Sequence, residues 1–333
     1  MNEITYNKQV DKTHGISQKS PILSIIIVNY NVKEEILNCI QSIQDKIDVN
    51  RCPYEVIVSD NGSVDGSVEA IRERFPWVKI IENKANLGFG KANNIGAREA
   101  KGEVLFFLNP DTLIVKGIEE MVEYLQHNKS VGIIGPLILD KNMQIDPTTG
   151  FDNYTPLKLW FYLFFYKYYA RKQFDKLKVG LQTQKPFNVE MIIGASMLLS
   201  RSVFDELEGF DEKFFLGLED EDLCLRVREK GYVVMVFPNA QIVHIRGAAF
   251  LKEPLSWLFN SGRTTLYFYR KHYHNLVTFV YTILVSFYVL RIISSYIKKC
   301  FNIMLKDKAH ITMRNEIIHH SFISLKSLFR SNT

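Results

Sequence analysis

The sequence is poor in several features that would have directed it to familiar chemistry. Its four cysteines, Cys39, Cys52, Cys224 and Cys300, lie far apart, with no CxxC pair and no histidine at zinc-finger spacing. That excludes a disulfide framework and a structural zinc site, and makes a reducing compartment the expected setting. No GxGxxG turn follows the first apolar strand, which runs instead into Asn29-Tyr30-Asn31. This argues against an NAD-binding Rossmann domain, and the lack of a basic glycine-rich loop there argues against a nucleotidyltransferase that must receive a triphosphate. The charge excess is small, 41 Lys+Arg against 36 Asp+Glu, well short of a dedicated nucleic-acid binder. Residues 1–20 are polar and lack the basic-then-apolar pattern of a secretory signal, so a flexible arm on a cytosolic chain is expected.

What is present is enough apolar material for a large core: 47% of 333 residues are hydrophobic and 23% charged, which excludes global disorder. From Pro21 onward, short β-branched runs alternate with amphipathic stretches, the pattern of an α/β domain on a largely parallel sheet. Strands are predicted over Leu23 to Val28, Glu55 to Ser59, Val78 to Glu82 and Val104 to Leu108. Ile36, Leu37, Ile40, Ile43 and Ile47 recur at helical spacing, with Asn31 the predicted N-cap and Glu34 and Glu35 in the first turn. Further helices are expected over Ala70 to Phe75, Lys91 to Ala100 and Gly117 to Asn128.

Open sheets of this kind bind ligands at the carboxyl ends of their strands, so the residues just past each strand carry the functional information. Asp60 ends the second strand and opens Asp60-Asn61-Gly62-Ser63; a carboxylate there can accept from a nucleobase or a ribose, although Asn-Gly is also an ordinary turn pair. The fourth strand ends in Asn109-Pro110-Asp111. Asp111 is placed either to hold a divalent cation between two phosphates or to cap the next turn. A glycine turn then leads into Glu219-Asp220-Glu221-Asp222, four acids opening a helix, with Asp222 in reach of Arg226 at i,i+4. Mutual repulsion and partial burial would raise the pKa of one of these carboxylates, as a general base working near neutrality requires. His244 reads as a metal ligand or a histidine at the core edge.

Taken in order, Ile25 to Asn31, Asp60-Asn61-Gly62-Ser63, Asn86-Leu87-Gly88-Phe89-Gly90 with Asn93, Leu108-Asn109-Pro110-Asp111, and Glu219 to Arg226 resemble the family 2 inverting glycosyltransferases of the GT-A fold. The likeness is greatest to rhamnosyltransferase-like and galactofuranosyltransferase-like members, and it spans about Pro21 to Phe250. It implies a mixed α/β sheet flanked by helices, and a nucleotide-diphosphate sugar bound by Val28, Asn29, Tyr30, Asn31, Asp60 and Asn61. The diphosphate would lie over Asn86, Gly88 and Asn93. Asn109 and Asp111 match the DxD motif, with Asn in place of the first acid, and Asp111 with His244 would bind Mg²⁺ or Mn²⁺. Asp220 falls on the catalytic-base position, with Glu219 and Asp222 as neighbours that tune or replace it. The implied activity is hexosyl transfer to a lipid-linked saccharide in bacterial surface polysaccharide assembly (O-antigen, capsule or cell wall). No QxxRW sequence occurs, so transfer of a single sugar is preferred over processive synthesis. A catalytically silent sugar-binding scaffold, the other alternative, would need no acid cluster.

Two apolar segments point to a membrane surface. An insertion at about 155–172 contains Leu157 to Tyr169, dense in aromatics and bracketed by Lys158, Lys167, Arg171 and Lys172, which suits an interfacial helix. Leu276 to Ile297 carries one charge, Arg291, and as a helix would extend about 33 Å. That is long enough to span a bilayer, but basic residues flank it on both sides, which favours a helix in the interface or a re-entrant hairpin and leaves a full span as the alternative. From Lys298 onward there are seven basic and two acidic residues, so this tail accounts for the whole net charge. Residues 251–333 are therefore read as a helical region holding the enzyme at the cytoplasmic face of the inner membrane.

Overall fold

The computed structural model describes residues 20–330 apart from 154, 246–253 and 305–307; the expected arm over 1–20 lies outside them save for Ser20. Nine strands form one sheet in the order β3-β2-β1-β4-β8-β6-β9-β5, with β7 paired to β9. The strands are β1 (Leu23–Asn29), β2 (Tyr54–Asp60), β3 (Lys79–Glu82), β4 (Val104–Leu108), β5 (Thr112–Lys116), β6 (Val131–Leu139), β7 (Phe187–Val189), β8 (Ser196–Ser200) and β9 (Val233–His244). The first four are mutually parallel, whereas β8, β5 and β7 run antiparallel to their neighbours, so the sheet is mixed.

Alternation along β1 divides the core. Ile25 and Ile27 point into one layer, with α1 (Lys33–Lys46), α2 (Ser67–Arg74) and α4 (Ile118–His127). Ile26 points into the other, with α3 (Phe89–Glu99), α7 (Arg201–Glu206) and α8 (Glu219–Glu229). A strand covered on both faces must be apolar on both, which is why β1 and β4 read as unbroken hydrophobic runs.

The predicted N-cap of α1 is corrected. The helix begins at Lys33, and Asn31 sits in the left-handed region (φ 54°). Its side chain accepts from the Val64 amide instead, while Asp65 takes the Lys33 amide from across the loop. The aromatic insertion is two helices, α5 (Pro156–Phe164), capped by Thr155, and α6 (Tyr166–Gln182), broken apart at Phe165. The C-terminal region forms α9 (Pro254–His272), α10 (Val277–Met304) and α11 (Lys308–Arg330).

These last helices build a third core. Leu266, Phe268 and Tyr269 of α9, Val280 and Leu284 of α10 and Leu328 of α11 are buried with Leu159 of α5 and Phe214 and Leu225 of the main domain. Residues 274–300 form the one helical stretch among the described residues that is long and apolar enough to cross a membrane. One face of it packs on the protein through Val280, Ile283, Leu284 and Ile292; on the opposite side Phe279, Leu290, Ile293 and Ile297 are exposed. On α5 and at its join to α6, Leu157, Phe161, Phe165 and Tyr168 make a second exposed stripe, and Phe164 meets Phe287 of α10 edge to face.

Candidate active site

Three strand ends and two helix starts converge at the carboxyl edge of β1, β2 and β4. Asn29 is fully buried at the end of β1 and donates to Asp60 Oδ1 (2.7 Å) and to the hydroxyls of Ser63 and Ser67. The second oxygen of Asp60 accepts the amides of Gly62 and Ser63, both at 3.0 Å. Val28 and Tyr30 flank Asn29 on the same strand end. Asn61 bonds the Asn29 carbonyl through its backbone and donates its side chain to Asn86 and to the Gly88 carbonyl. A chain of carboxylate and amide groups thus fixes the positions expected to receive the nucleotide. Asn93 is buried one turn into α3 and donates to the Phe89 carbonyl.

Gly88 joins this loop to the acid cluster. It sits at φ 83° and ψ 179°, and a Cβ placed there would lie 2.2 Å from the Phe215 carbonyl oxygen, the same atom that accepts the Phe89 amide. No L-residue side chain is accommodated without moving one of the two segments. Gly88→Ala is expected to cost about 1–3 kcal/mol and to weaken nucleotide binding. Urea unfolding and donor titration of the purified variant check both effects; a variant as stable as wild type would refute the close approach.

Asp111 and His244 are brought together by sheet pairing: Thr112 opposes His244 in the β5/β9 register, and the Asp111 carbonyl accepts the Ile245 amide. His244 Nε2 stands 3.2 Å from Asp111 Oδ1; both side chains are nearly buried, and Nδ1 of the imidazole has no hydrogen-bond partner. Two atoms bound side by side to one octahedral cation at about 2.1 Å would be about 3.0 Å apart, so the pair fits a hard divalent ion. Among the described residues no third His, Cys, Asp or Glu joins this pair as a potential metal ligand, so other ligands to a cation held here would come from elsewhere, substrate oxygens included. Asn109 precedes this pair, its backbone bonded to the Ala195 carbonyl and to Thr112.

The acid cluster opens α8 from two consecutive left-handed residues, Gly217 (φ 91°) and Leu218 (φ 69°). Asp220 accepts the Gly194 amide at 2.8 Å and the Glu221 amide at 2.9 Å. Burial raises its pKa, against the pull of those amides. Burial, followed by the Asp220 charge, lifts Glu219 to about 8. Both carboxyls are thus pushed above the ordinary carboxylate range and titrate as a pair, with the Gly194 and Glu221 amides favouring the charged form of Asp220. Asp222 is different in kind. It is fully buried and bonded to Arg226 (2.8 Å), Lys271 (2.6 Å) and His272 (2.7 Å), and these partners hold its pKa below the ordinary value despite burial.

Sequence reasoning missed the supports of this site. Asn94 brackets Phe210, donating to its carbonyl and accepting its amide. Arg226 also donates to the carbonyls of Leu207 and Gly209. An Asn inside a helix and an Arg at i+4 from an acid were the only signals, and neither indicates a distant carbonyl partner.

The mixed sheet with its site at the parallel strand ends is the fold of GT-A glycosyltransferases. Among solved structures, the mannosyltransferase PcManGT from Pyrobaculum calidifontis, in complex with GDP-Man and Mn²⁺, superposes with a TM-score of 0.54 at 15% identity, covering 94% of this chain and 88% of that one. GalNAc-T7 with UDP, GalNAc and Mn²⁺ gives 0.52 at 17% identity, covering 69% and 45%. Residues 24–207 match glycosyl transferase family 2, and residues 176–247 match the family described as the N-terminal domain of galactosyltransferase. The chain belongs to glycosyl transferase family 2. It is 26% identical over 241 residues to the N-acetylglucosaminyl-diphospho-decaprenol L-rhamnosyltransferase of Mycobacterium tuberculosis, covering 65% of this chain and 74% of that one. It is also 24% identical over 222 residues to the dTDP-rhamnosyl transferase RfbF of Shigella flexneri, covering 58% and 69%.

Proposed function

We propose that this glycosyltransferase moves one sugar, with inversion, from a nucleotide-diphosphate donor to a lipid-linked saccharide during assembly of a bacterial surface polysaccharide. Rhamnose is the first donor sugar to test, given the names of the two relatives. The observation that carries the reading is Asp220: a buried carboxylate of raised pKa beside Glu219, fixed by two backbone amides, one of them from Gly194, which packs against Phe89.

The acceptor hydroxyl is a poor nucleophile until a base removes its proton. Asp220 takes that proton, and a single base opposite the leaving group gives in-line displacement at the anomeric carbon, hence inversion. The Asn29–Asp60–Asn61 network fixes the nucleotide side of the donor, and Gly88 lets the backbone approach the diphosphate. Asp111 and His244 would hold a divalent cation, which when bound offsets the negative charge on the departing nucleotide diphosphate. Glu219 stays protonated and keeps a second negative charge away from the base.

The exposed apolar stripes on α5 and α10 support attachment to a membrane surface, which we place at the cytoplasmic face, with α10 lying in the interface because its other face is covered by α5, α9 and α11. Purified protein should transfer rhamnose from dTDP-rhamnose to a diphosphate-linked N-acetylglucosaminyl lipid, with proton NMR reporting an inverted anomeric centre. EDTA should abolish the rate, excess Mn²⁺ or Mg²⁺ should restore it, and Asp111→Ala should lower it by about 10²-fold or more. Retention at the anomeric centre would refute the single-base mechanism, and a rate indifferent to EDTA would refute the metal assignment.

A further inference from the structure

A cavity of about 600 Å³ opens beside the acid cluster, between the catalytic domain and the C-terminal helices. Its walls are apolar, with Leu159 and Leu163 from α5, Leu216 and Leu218 from the loop before α8, and Leu284 and Phe287 from α10. Two cationic or potentially cationic side chains, Arg291 of α10 and His320 of α11, also line it. Neither takes part in a hydrogen bond or ion pair among the described residues. Thr264, Thr265, Ser321 and Ser324 add hydroxyls to the lining, but most of its surface is apolar, which favours a hydrocarbon body over a saccharide alone. Arg291 is exposed and His320 half-buried, so both stand at the mouth of the cavity, where an anionic head group could meet them without leaving water entirely. The lining therefore asks for a ligand with a hydrocarbon body and an anionic head.

The location decides which ligand that is. Gly217 and Leu218 form one wall of the cavity, and Glu219 and Asp220 follow them directly in the chain. A lipid seated here presents whatever is attached to its head group to the proposed base. The volume lies in the range of about 300–1,000 Å³ that encloses a drug-sized ligand, which suits the first few units of a long chain rather than the whole of it. The exposed stripes of α5 and α10 lie on helices that also line this cavity, so the rest of the chain has an apolar surface along which to leave.

We propose that this cavity binds the phosphate-proximal isoprenoid units of the acceptor, with Arg291 and His320 pairing its diphosphate, so that the C-terminal helices form an acceptor-lipid subsite. The inference rests on the lipid-linked acceptor proposed above. It is tested on the full chain in detergent with a photoactivatable benzophenone analogue of farnesyl diphosphate, and crosslinks are mapped by mass spectrometry. Labelling should fall on α5, α10 or the 216–218 loop. It should be competed by unlabelled farnesyl diphosphate and not by phosphatidylglycerol bicelles at equal lipid concentration. Labelling elsewhere, or equal competition by phosphatidylglycerol, overturns the proposal and marks the cavity as a bulk-lipid site.

Leu163→Trp and Arg291→Gln provide the kinetic arm. Each should raise KM for a farnesyl-diphosphate-linked N-acetylglucosamine acceptor by about tenfold or more, without changing slow donor hydrolysis in the absence of acceptor. Unchanged KM in both variants overturns the subsite while leaving the proposed reaction intact. Specific labelling of the cavity in a protein that glycosylates no lipid-linked acceptor would instead support the subsite and defeat the proposed reaction. If a variant fails to fold, as judged by its thermal midpoint, the crosslinking map of the wild-type chain decides.

Discussion

Asp220→Asn is expected to lower kcat by about 10²–10⁴-fold, the usual contribution of a positioned general base, with donor affinity changed by no more than about twofold. The amide keeps the size and shape of the carboxylate and can still accept from Gly194 or Glu221, so the site should keep its form and lose only its proton acceptor. Glu219→Gln separates the two members of the pair. Because Glu219 retains its proton up to about pH 8, an amide in its place should leave the acid limb of the pH–rate profile where it is, whereas Asp220→Asn should remove that limb. Stability should respond in the opposite sense. The folded state holds the Glu219 proton between the ordinary value of 4.5 and about 8, while the unfolded chain releases it. Wild-type stability therefore falls as pH rises through that window, by up to about 1.4 kcal/mol per pH unit from this group. Glu219→Gln should flatten that slope in urea melts at a series of pH values. Turnover of Asp220→Asn at the wild-type rate would end the assignment of the base.

The parts of this site that were legible in the sequence are those whose cause is local. β1 and β4 could be read because a strand buried on both faces must be apolar throughout, and α1 because five aliphatic residues repeat at helical spacing. The perturbed carboxyl in the acid cluster was also legible, since repulsion among four adjacent acids is a local effect, although burial proves to be the larger cause. Contacts set by sheet order were not legible as geometry. The meeting of Asp111 with His244 depends on the antiparallel pairing of β5 with β9, and the backbone bond of Asn109 depends on Ala195, just before β8. β6 and β8 went unread for the same reason. Asn31 had the composition of an N-cap, but tertiary contacts to Ser63 and Val64 captured it. The lipid-shaped cavity has no signature in any one segment, because its walls come from four helices and a loop.

Asp222→Asn is expected to cost about 3–5 kcal/mol of stability, the range for removing one partner of a buried ion pair. The carboxylate is fully buried and is the common acceptor for Arg226 on its own helix and for Lys271 and His272 at the end of α9. An amide cannot balance the two permanent cations, and its NH₂ group would face a donor. Lys271 retains a second acceptor in Asp211 (2.7 Å), and Arg226 retains the Leu207 and Gly209 carbonyls, so the loss should fall on the junction between α8 and α9 more than on either helix alone. A double-mutant cycle of Asp222→Asn with His272→Asn should show coupling of about 1 kcal/mol or more, because the two share a buried hydrogen bond. The sign of the pH dependence is fixed by the lowered pKa: the stability Asp222 supplies is present above its ordinary value of 3.8 and is lost as pH falls through the lower folded value. Acid unfolding of the wild type should therefore steepen below that point, and in Asp222→Asn this component should be missing. The functional consequence follows from the connection. Since Asp222 lies two residues beyond the proposed base and ties α8 to the C-terminal helices, Asp222→Asn should also lower kcat with the lipid-linked acceptor at temperatures where the variant remains folded. Lys271→Gln, which removes only a partly exposed partner, should lose less than half as much stability by this bookkeeping. Thermal and urea melts of the three variants at pH 7 check the order; an Asp222→Asn protein within about 1 kcal/mol of wild type would mean that the α8–α9 junction is held by its apolar contacts alone.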